Sequence, residues 1–138
     1  MDKYNKIIGN FGEDEACKFL IKNGYKIIER NYNCRFGEID IIAKDGECLV
    51  FVEVKTRTNS KYGAPENAVN FYKIKHLTLS ARMYIDKKHL ANYFSRFDVV
   101  EIFAKFADNN FMVDKINIIK NAFWFGGGTF ANIRYYCE

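Results

Sequence analysis

The sequence FGEIDIIAKDGECLVFVEVKTR, residues 36–57, decides the fold that we predict for this chain. Two runs rich in Ile, Val and Phe, residues 36–44 and 47–56, flank the pair Asp45-Gly46. An Asp-Gly pair between two such runs is a strong signal for a β-hairpin, because tight hairpin turns need residues that tolerate positive φ. We therefore predict two antiparallel strands joined by a two-residue loop at Asp45-Gly46.

A loop of this length fixes which residues face each other across the hairpin. It sets Asp40 opposite Phe51 and Glu38 opposite Glu53, so that Asp40 and Glu53 become diagonal neighbours about 7–8 Å apart. One face of the hairpin is then wholly apolar, and its residues are Ile39, Ile41, Ala43, Cys48, Val50, Val52 and Val54. The other face begins with Ile42, Leu49 and Phe51 and ends with Glu38, Asp40, Glu53 and Lys55. Three carboxylates and a lysine are therefore expected at the rim of a core that is covered on both sides.

The charged end of this hairpin predicts a metal site. Glu38 directly opposite Glu53 would be unfavourable without a cation, because like charges repel across a strand pair. Mg²⁺ binds through one or two carboxylates plus waters, and it polarises phosphate oxygens. Lys55 could orient an attacking water or neutralise charge that develops on phosphorus. The residues alone leave a second interpretation open, in which these charges form a solvated face or simple salt bridges.

The rest of the chain predicts two helices and three further strands. Apolar residues recur at helical spacing over residues 5–23, and Gly24 marks the end of that helix. Residues 25–33 are typical of a strand near a sheet edge. The second helix is predicted over 65–87, and the last two strands over 96–105 and 111–119. The order α-β-β-β-α-β-β predicts an α/β sheet with helices on both faces.

Length and composition are those of one domain. The chain has 138 residues, of which 49% are hydrophobic and 28% charged, with a net charge of +4; this excludes a disordered tail and permits a polyanionic partner without requiring one. Its apolar runs are shorter than the ~20 residues that a membrane helix needs. Residues 1–6 lack a signal-peptide core, so we expect a cytoplasmic protein without a membrane partner. The four cysteines form no CxxC pair, which excludes the usual zinc motifs.

Several motifs along the chain carry a specific family resemblance. They are Gly12-Glu13, GEID at residues 37–40, FVEVKTR at residues 51–57 and RFD at residues 96–98. This set resembles the YraN-type family of small bacterial proteins, which is similar to Holliday junction resolvases and to the restriction-endonuclease-like PD-(D/E)xK nucleases. The resemblance implies a three-layer α/β/α domain with a central mixed β-sheet over residues 1–123. Residues 124–138 extend past the family pattern, and we assign them no role.

The resemblance also implies which residues carry the chemistry. Asp40 and Glu53 match the metal ligands of the nuclease pattern, with Mg²⁺ as the expected ion and Mn²⁺ as an alternative. Lys55 matches the catalytic lysine. Glu13 matches an acid that resolvases bring from their first helix toward the metal, although its position also suits a solvated helix glutamate.

Further charged residues have expected roles around this centre. Glu38 belongs to the YraN-type signature and is either an accessory acid near the metal or a partner for Arg35 or Arg57. Basic residues near the predicted cleft are expected to contact DNA phosphates in a salt-sensitive manner that tolerates different sequences; they are Arg35, Arg57, Lys61 and Lys73.

The predicted function is that of a Mg²⁺-dependent endonuclease that hydrolyses phosphodiester bonds in DNA, with branched or recombination and repair intermediates as candidate substrates. A homodimer is compatible with the resemblance, because a DNA junction offers two symmetric strands. Two alternatives remain: a non-catalytic nucleic-acid-binding module on the same fold, and an interaction protein whose acids form salt bridges.

Overall fold

Five strands and two helices follow one another in the predicted order. A computed structural model describes residues 3–58 and 71–123 of the chain. The elements are α1 (Lys3–Lys22), β1 (Lys26–Cys34), β2 (Gly37–Asp45), β3 (Cys48–Thr58), α2 (Phe71–Lys88), β4 (Phe94–Ala107) and β5 (Asn110–Ile119). The predicted start of the second helix near residue 65 and the predicted extension at 124–138 lie outside the described residues. Neither described helix is long and apolar enough to cross a membrane.

The strands form one mixed sheet in the order β1-β2-β3-β4-β5. β3 and β4 are parallel, whereas the other neighbouring pairs are antiparallel. The α2 helix lies between β3 and β4 in the chain, as a parallel pair requires of its crossover. The prediction of an α/β fold of the restriction-endonuclease-like kind is confirmed.

Each helix covers one face of the sheet. The α1 residues Ala16, Cys17 and Leu20 are buried against Ile41, Ala43, Val50, Val52, Val100 and Ile102. The α2 residues Leu77, Ala81, Tyr84 and Ile85 are buried against Ile39, Ile42, Leu49, Phe51 and Phe97. Strands that are buried on both faces read as nearly continuous apolar runs, which is why β3 begins CLVFV.

The α1 helix ends just before Gly24, as predicted, and it approaches the sheet closely at a second glycine, Gly12. Gly24 has a φ of 89°, and Tyr25 N donates to Leu20 O at 2.9 Å, which is the bonding pattern of a Schellman cap. Nearer the start of the helix, a Cβ added to Gly12 would stand 1.8 Å from Oγ1 of Thr56 on β3. Only glycine permits this approach, which places the following residue, Glu13, beside the sheet.

The pairing of β2 with β3 corrects the predicted register. Ile42 pairs with Phe51, two positions from its predicted partner. A shift of two residues keeps every side chain on its side, whereas a shift of one would reverse them all. The predicted opposition of Glu38 and Glu53 is wrong, because the pairing of Ile41 with Val52 leaves Glu53 in line with Asp40 and not with Glu38. The predicted diagonal is wrong as well, because the observed register sets Asp40 directly in line with Glu53, one step beyond the last pair.

The reason for the shift is the position of the turn. Asp45 pairs with Cys48, so the turn residues are Gly46 and Glu47. Gly46 has a φ of 62° and occupies the first central position, where type II′ turns carry glycine. The Asp45 carboxylate accepts a hydrogen bond of 2.7 Å from the buried Arg96 side chain, which holds Asp45 in the strand.

One residue of the predicted apolar face lies on the opposite face. Ile39 belongs to the cluster beneath α2, whereas Ile41 belongs to the cluster beneath α1. Two residues of a regular strand at this spacing share a face, so β2 changes face at Asp40. Its partner strand changes face at the same level, where Asn31 has a φ of 53°.

Candidate metal centre

Asp40 lies where β2 and β3 stop pairing. The last bonded pair is Ile41 with Val52. In the next position the Asp40 side chain takes the place of a main-chain acceptor, since its Oδ2 accepts a hydrogen bond of 2.8 Å from Val54 N. The Asp40 carboxylate therefore lies in the gap between the two strands, where it also shares a hydrogen bond with the Glu53 side chain.

Two further acids meet Asp40 from other elements. One carboxylate oxygen of each of Glu13, Glu38 and Asp40 lies within 4.8 Å of the others. Glu13 comes from α1, which Gly12 brings close to the sheet, and Glu38 comes from the start of β2. Glu13 was predicted to approach the metal and Glu38 to be an accessory acid, and the structure brings both beside Asp40.

Asn31 and Arg30 belong to this cluster and were assigned no role from the sequence. With its amide nitrogen facing the carboxylates, Asn31 donates to Glu13 Oε1 at 2.8 Å and to Glu38 Oε1 at 3.2 Å. Arg30 donates to Asp14 Oδ1 at 2.9 Å and stands 4.0 Å from Glu13 Oε1. Asn31 is one of the residues that carry the family resemblance, and asparagine tolerates the left-handed conformation found there, with a φ of 53°.

The crowding of acids shifts their protonation. Burial, followed by the charges of Asp40 and Glu38, raises the pKa of Glu13 to about 7. Burial and a shared hydrogen bond with Glu53 raise the pKa of Asp40 far above its usual range, against the opposing effects of the Val54 amide and Lys73. Near neutral pH the cluster therefore retains protons that a bound cation would displace.

Glu53 lies on the α2 side of Asp40 and is almost fully buried, with 4% exposure. Its Oε2 stands 3.3 Å from Lys73 Nζ on α2, yet this oxygen accepts no hydrogen bond from the described residues. Lys73, predicted to contact DNA phosphate, thus faces a predicted metal ligand. Glu53 contacts Asp40 but is not one of the three acids that converge most closely.

Lys55 lies on β3, two residues after Glu53 and on the same side of the strand. It lines a cavity of about 240 Å³ together with Arg57, Glu101, Ile74, Ile119 and Phe123. Arg57 donates from Nε to Glu101 Oε2 at 3.0 Å. The structure thus brings Lys55 and Arg57 together in one cavity, and it gives Arg57 a partner other than Glu38.

The other two predicted phosphate contacts are placed differently. Arg35 lies in the β1–β2 turn with its guanidinium carbon 4.8 Å from the centre of the Phe36 ring. It lines a groove shared with Leu79 and Arg82 of α2, rather than the cavity of Lys55. Lys61 lies outside the described residues.

The donor set suits a hard divalent cation such as Mg²⁺. It consists of carboxylate oxygens from separate elements, and opposite ligands of Mg²⁺ stand ~4.2 Å apart, so three oxygens within 4.8 Å of one another need only small movements to share one ion. The raised pKa of Asp40 is the feature that a nearby cation would compensate.

Comparison with known proteins identifies the family. A model of the uncharacterised protein family UPF0102 matches residues 12–102, which include every acid of the cluster. The UPF0102 protein of Clostridium tetani (strain Massachusetts / E88) is 49% identical over 124 residues, covering 89% of this chain and 98% of the relative. The UPF0102 protein of Caldicellulosiruptor bescii is 52% identical over 120 residues, covering 86% of this chain and 98% of the relative. The chain therefore belongs to the UPF0102 family, also called the YraN family, as its motifs predict.

Proposed function

We propose that this protein is a divalent-metal-dependent endonuclease acting on DNA, with Mg²⁺ as the ion and Mn²⁺ as an alternative. The observation that carries the proposal is the meeting of Glu13, Glu38 and Asp40 from separate elements at the point where β2 and β3 part. Glu53 contacts Asp40 from the other side, and Lys55 follows Glu53 on the same strand face. A structural salt bridge would not account for carboxyl groups whose pKa is raised, as burial and neighbouring acids raise the pKa of Glu13 and Asp40.

The roles of the residues follow from their surroundings. Asp40 is fixed by the Val54 amide and, with Glu53, is the proposed ligand pair, while Glu13 and Glu38 are the proposed accessory acids. Mg²⁺, when bound, supplies polarisation of a phosphate oxygen and a lowered pKa for water. Lys55 holds the attacking water or neutralises the phosphorane-like charge, and Asn31 keeps Glu13 and Glu38 in position by donating to both.

DNA is the proposed substrate because cations line the same part of the sheet. Lys55 and Arg57 lie beyond Glu53 on β3, and Lys73 faces Glu53 from α2. Phosphate contacts of this kind give binding that weakens steeply with salt. Branched or recombination and repair intermediates and a homodimeric assembly stay part of the proposal, as the family resemblance implies, and a cytoplasmic setting stays part of it as well.

A cleavage assay with a matched control tests the proposal. Linear, flapped and four-way DNA are incubated with the protein in Mg²⁺, Mn²⁺ or chelator. Asp40→Asn and Lys55→Met are expected to lower the cleavage rate at least 100-fold, because each removes a group that acts at the reacting phosphate. Asp86→Asn makes the same chemical change at an exposed carboxylate of α2 and should cleave at the wild-type rate.

The outcomes separate the competing functions. Cleavage that survives in both Asp40→Asn and Lys55→Met would contradict the assigned site. Salt-sensitive DNA binding without cleavage in any metal would indicate the non-catalytic binding module, a role compatible with the neutralisation of Glu53 by Lys73. Absence of binding to every DNA would indicate an interaction protein.

A further inference from the structure

The cavity beside the acids contains a cationic group whose hydrogen-bonding capacity is not used. The Arg57 side chain is nine-tenths buried, with 10% exposure. Its Nε is paired with Glu101, but its Nη1 has no hydrogen-bond partner among the described residues. A buried guanidinium nitrogen without an acceptor is costly, because it has lost water and gained nothing in return. Nη1 is closed to solvent in this conformation, but Arg57 lines the cavity, so a rotation of its guanidinium group would present Nη1 to an acceptor that enters.

The charges of the lining favour an anion. Lys55 and Arg57 contribute two positive charges, and Glu101 contributes one negative charge that is already engaged by Arg57 and by Asn117, whose Nδ2 donates at 3.0 Å. The balance that faces the cavity is therefore positive. Arginine is the side chain best suited to phosphate oxygens, because its donors form a planar fork.

The remaining walls favour a ligand larger than a bare anion. Ile74, Ile119 and Phe123 supply apolar and aromatic surface. The volume of about 240 Å³ is several times the ~30 Å³ that one water occupies in the liquid. Aromatic side chains provide a surface on which a base or sugar can stack, whatever its sequence.

We propose that this cavity, lined by Lys55, Arg57, Glu101 and Phe123, binds one nucleotide through its phosphate, which accepts from Arg57 Nη1. The proposal rests on the proposed DNA substrate and deepens it, since Lys55 belongs to both the cavity and the candidate catalytic site. The nucleotide held here is a neighbour of the one that is cut. The shared ligand chemistry is a phosphate on a deoxynucleoside, whether it lies at a strand end or within a strand.

Binding of a mononucleotide without metal tests the proposal separately from nuclease activity. Calorimetric titration of the full chain with dAMP, in chelator, is expected to show saturable binding. Deoxyadenosine and inorganic phosphate are each expected to bind at least tenfold more weakly, since each lacks half of the ligand. Saturable dAMP binding in a protein that never cleaves DNA would defeat the proposed function and leave this cavity assignment standing.

Two variants and one control locate the binding. Ala122 also lines the cavity. Arg57→Gln removes the donor, and Ala122→Leu fills the cavity without changing charge; each is expected to weaken dAMP binding at least tenfold. Arg82→Gln removes a half-exposed arginine of α2 and should leave binding unchanged. Circular dichroism checks folding, and Ala122→Leu decides the matter if Arg57→Gln does not fold.

Competition distinguishes the two sources of the phosphate. A 5′-phosphorylated oligonucleotide that displaces dAMP better than its 5′-hydroxyl counterpart supports a strand end as the occupant, and equal displacement by both supports an internal phosphate. The proposal is overturned if wild-type protein shows no saturable dAMP binding, if inorganic phosphate binds as well as dAMP, or if both folded cavity variants bind dAMP like wild type.

Discussion

Replacement of Gly12 by alanine should destabilise the protein, although alanine is the better helix former. In an open helix position the change gains ~1 kcal/mol from helix propensity. At Gly12 the new Cβ would stand 1.8 Å from Thr56 Oγ1 and 3.0 Å from Thr56 Cβ. Rotation of the threonine relieves the first contact but not the second, because Cβ is fixed by the backbone.

The expected magnitude follows from these distances. Ordinary contacts of a Cβ lie at 3.4–4 Å, so α1 must retreat from β3 by about 0.4 Å or more, and overpacking of a packed interface costs ~1–3 kcal/mol. The free energy of unfolding should therefore fall by up to about 2 kcal/mol after the propensity gain of ~1 kcal/mol is subtracted. Because Glu13 moves with the helix, Mg²⁺ affinity should fall several-fold as well.

Gly9 provides the matched control on the same helix. No atom lies within 4 Å of a Cβ added there, so Gly9→Ala should stabilise the protein by about 0.5–1 kcal/mol. Urea unfolding followed by circular dichroism measures both variants. Equal stability of Gly12→Ala and Gly9→Ala would refute the close approach of α1 to Thr56, whereas partial recovery in the double variant Gly12→Ala with Thr56→Ala would support it.

Three further results are expected. Mg²⁺ affinity, measured by calorimetry, should rise with pH between about 6 and 8, since Glu13, with a pKa of about 7, must lose its proton; Glu13→Gln should flatten the dependence, and an unchanged profile would argue against its role. In chelator, the raised pKa values of Glu13 and Asp40 make a contribution to the free energy of unfolding that is fully present below pH ~4 and is lost as pH rises through the folded pKa values. Asp40→Asn should reduce this loss in urea unfolding, and a pH dependence parallel to that of the wild type would count against the crowding of the acids. Arg96→Met removes the cation that neutralises buried Asp98 and should cost ~3–5 kcal/mol, whereas Arg82→Met should change stability by less than ~0.5 kcal/mol; similar losses would contradict the burial difference.

The sequence predicted the hairpin and its two-sided burial, because apolar periodicity depends on neighbours along the chain. It misplaced the register by two residues, because Asp45 is kept in its strand by Arg96, which lies 51 positions away. The error does not change the side on which the site residues are predicted to lie, since a register shift of two residues leaves Asp40 and Glu53 on one side. That Asp40 and Glu53 share a side was therefore predictable, while the residue opposite each of them was not.

Other parts of the site depend on contacts that no local pattern encodes. The change of face that moves Ile39 beneath α2 requires two strands to twist at the same level, at Asn31 and Asp40. The family resemblance, and not periodicity, indicated Glu13. The unused donor of Arg57 is visible only once Glu101 and the walls of the cavity are assembled around it.

The Val54 amide donates its hydrogen bond to a carboxylate instead of a main-chain carbonyl, and this has a spectroscopic consequence. Most amides of the sheet donate to carbonyl oxygens, whose charge is constant, but the Val54 amide donates to Asp40 Oδ2. The proton resonance of that single amide is thereby coupled to the charge of the whole acidic cluster. One labelled backbone position deep in β3 would act as a built-in gauge of titration and cation occupancy, without any probe added to the protein.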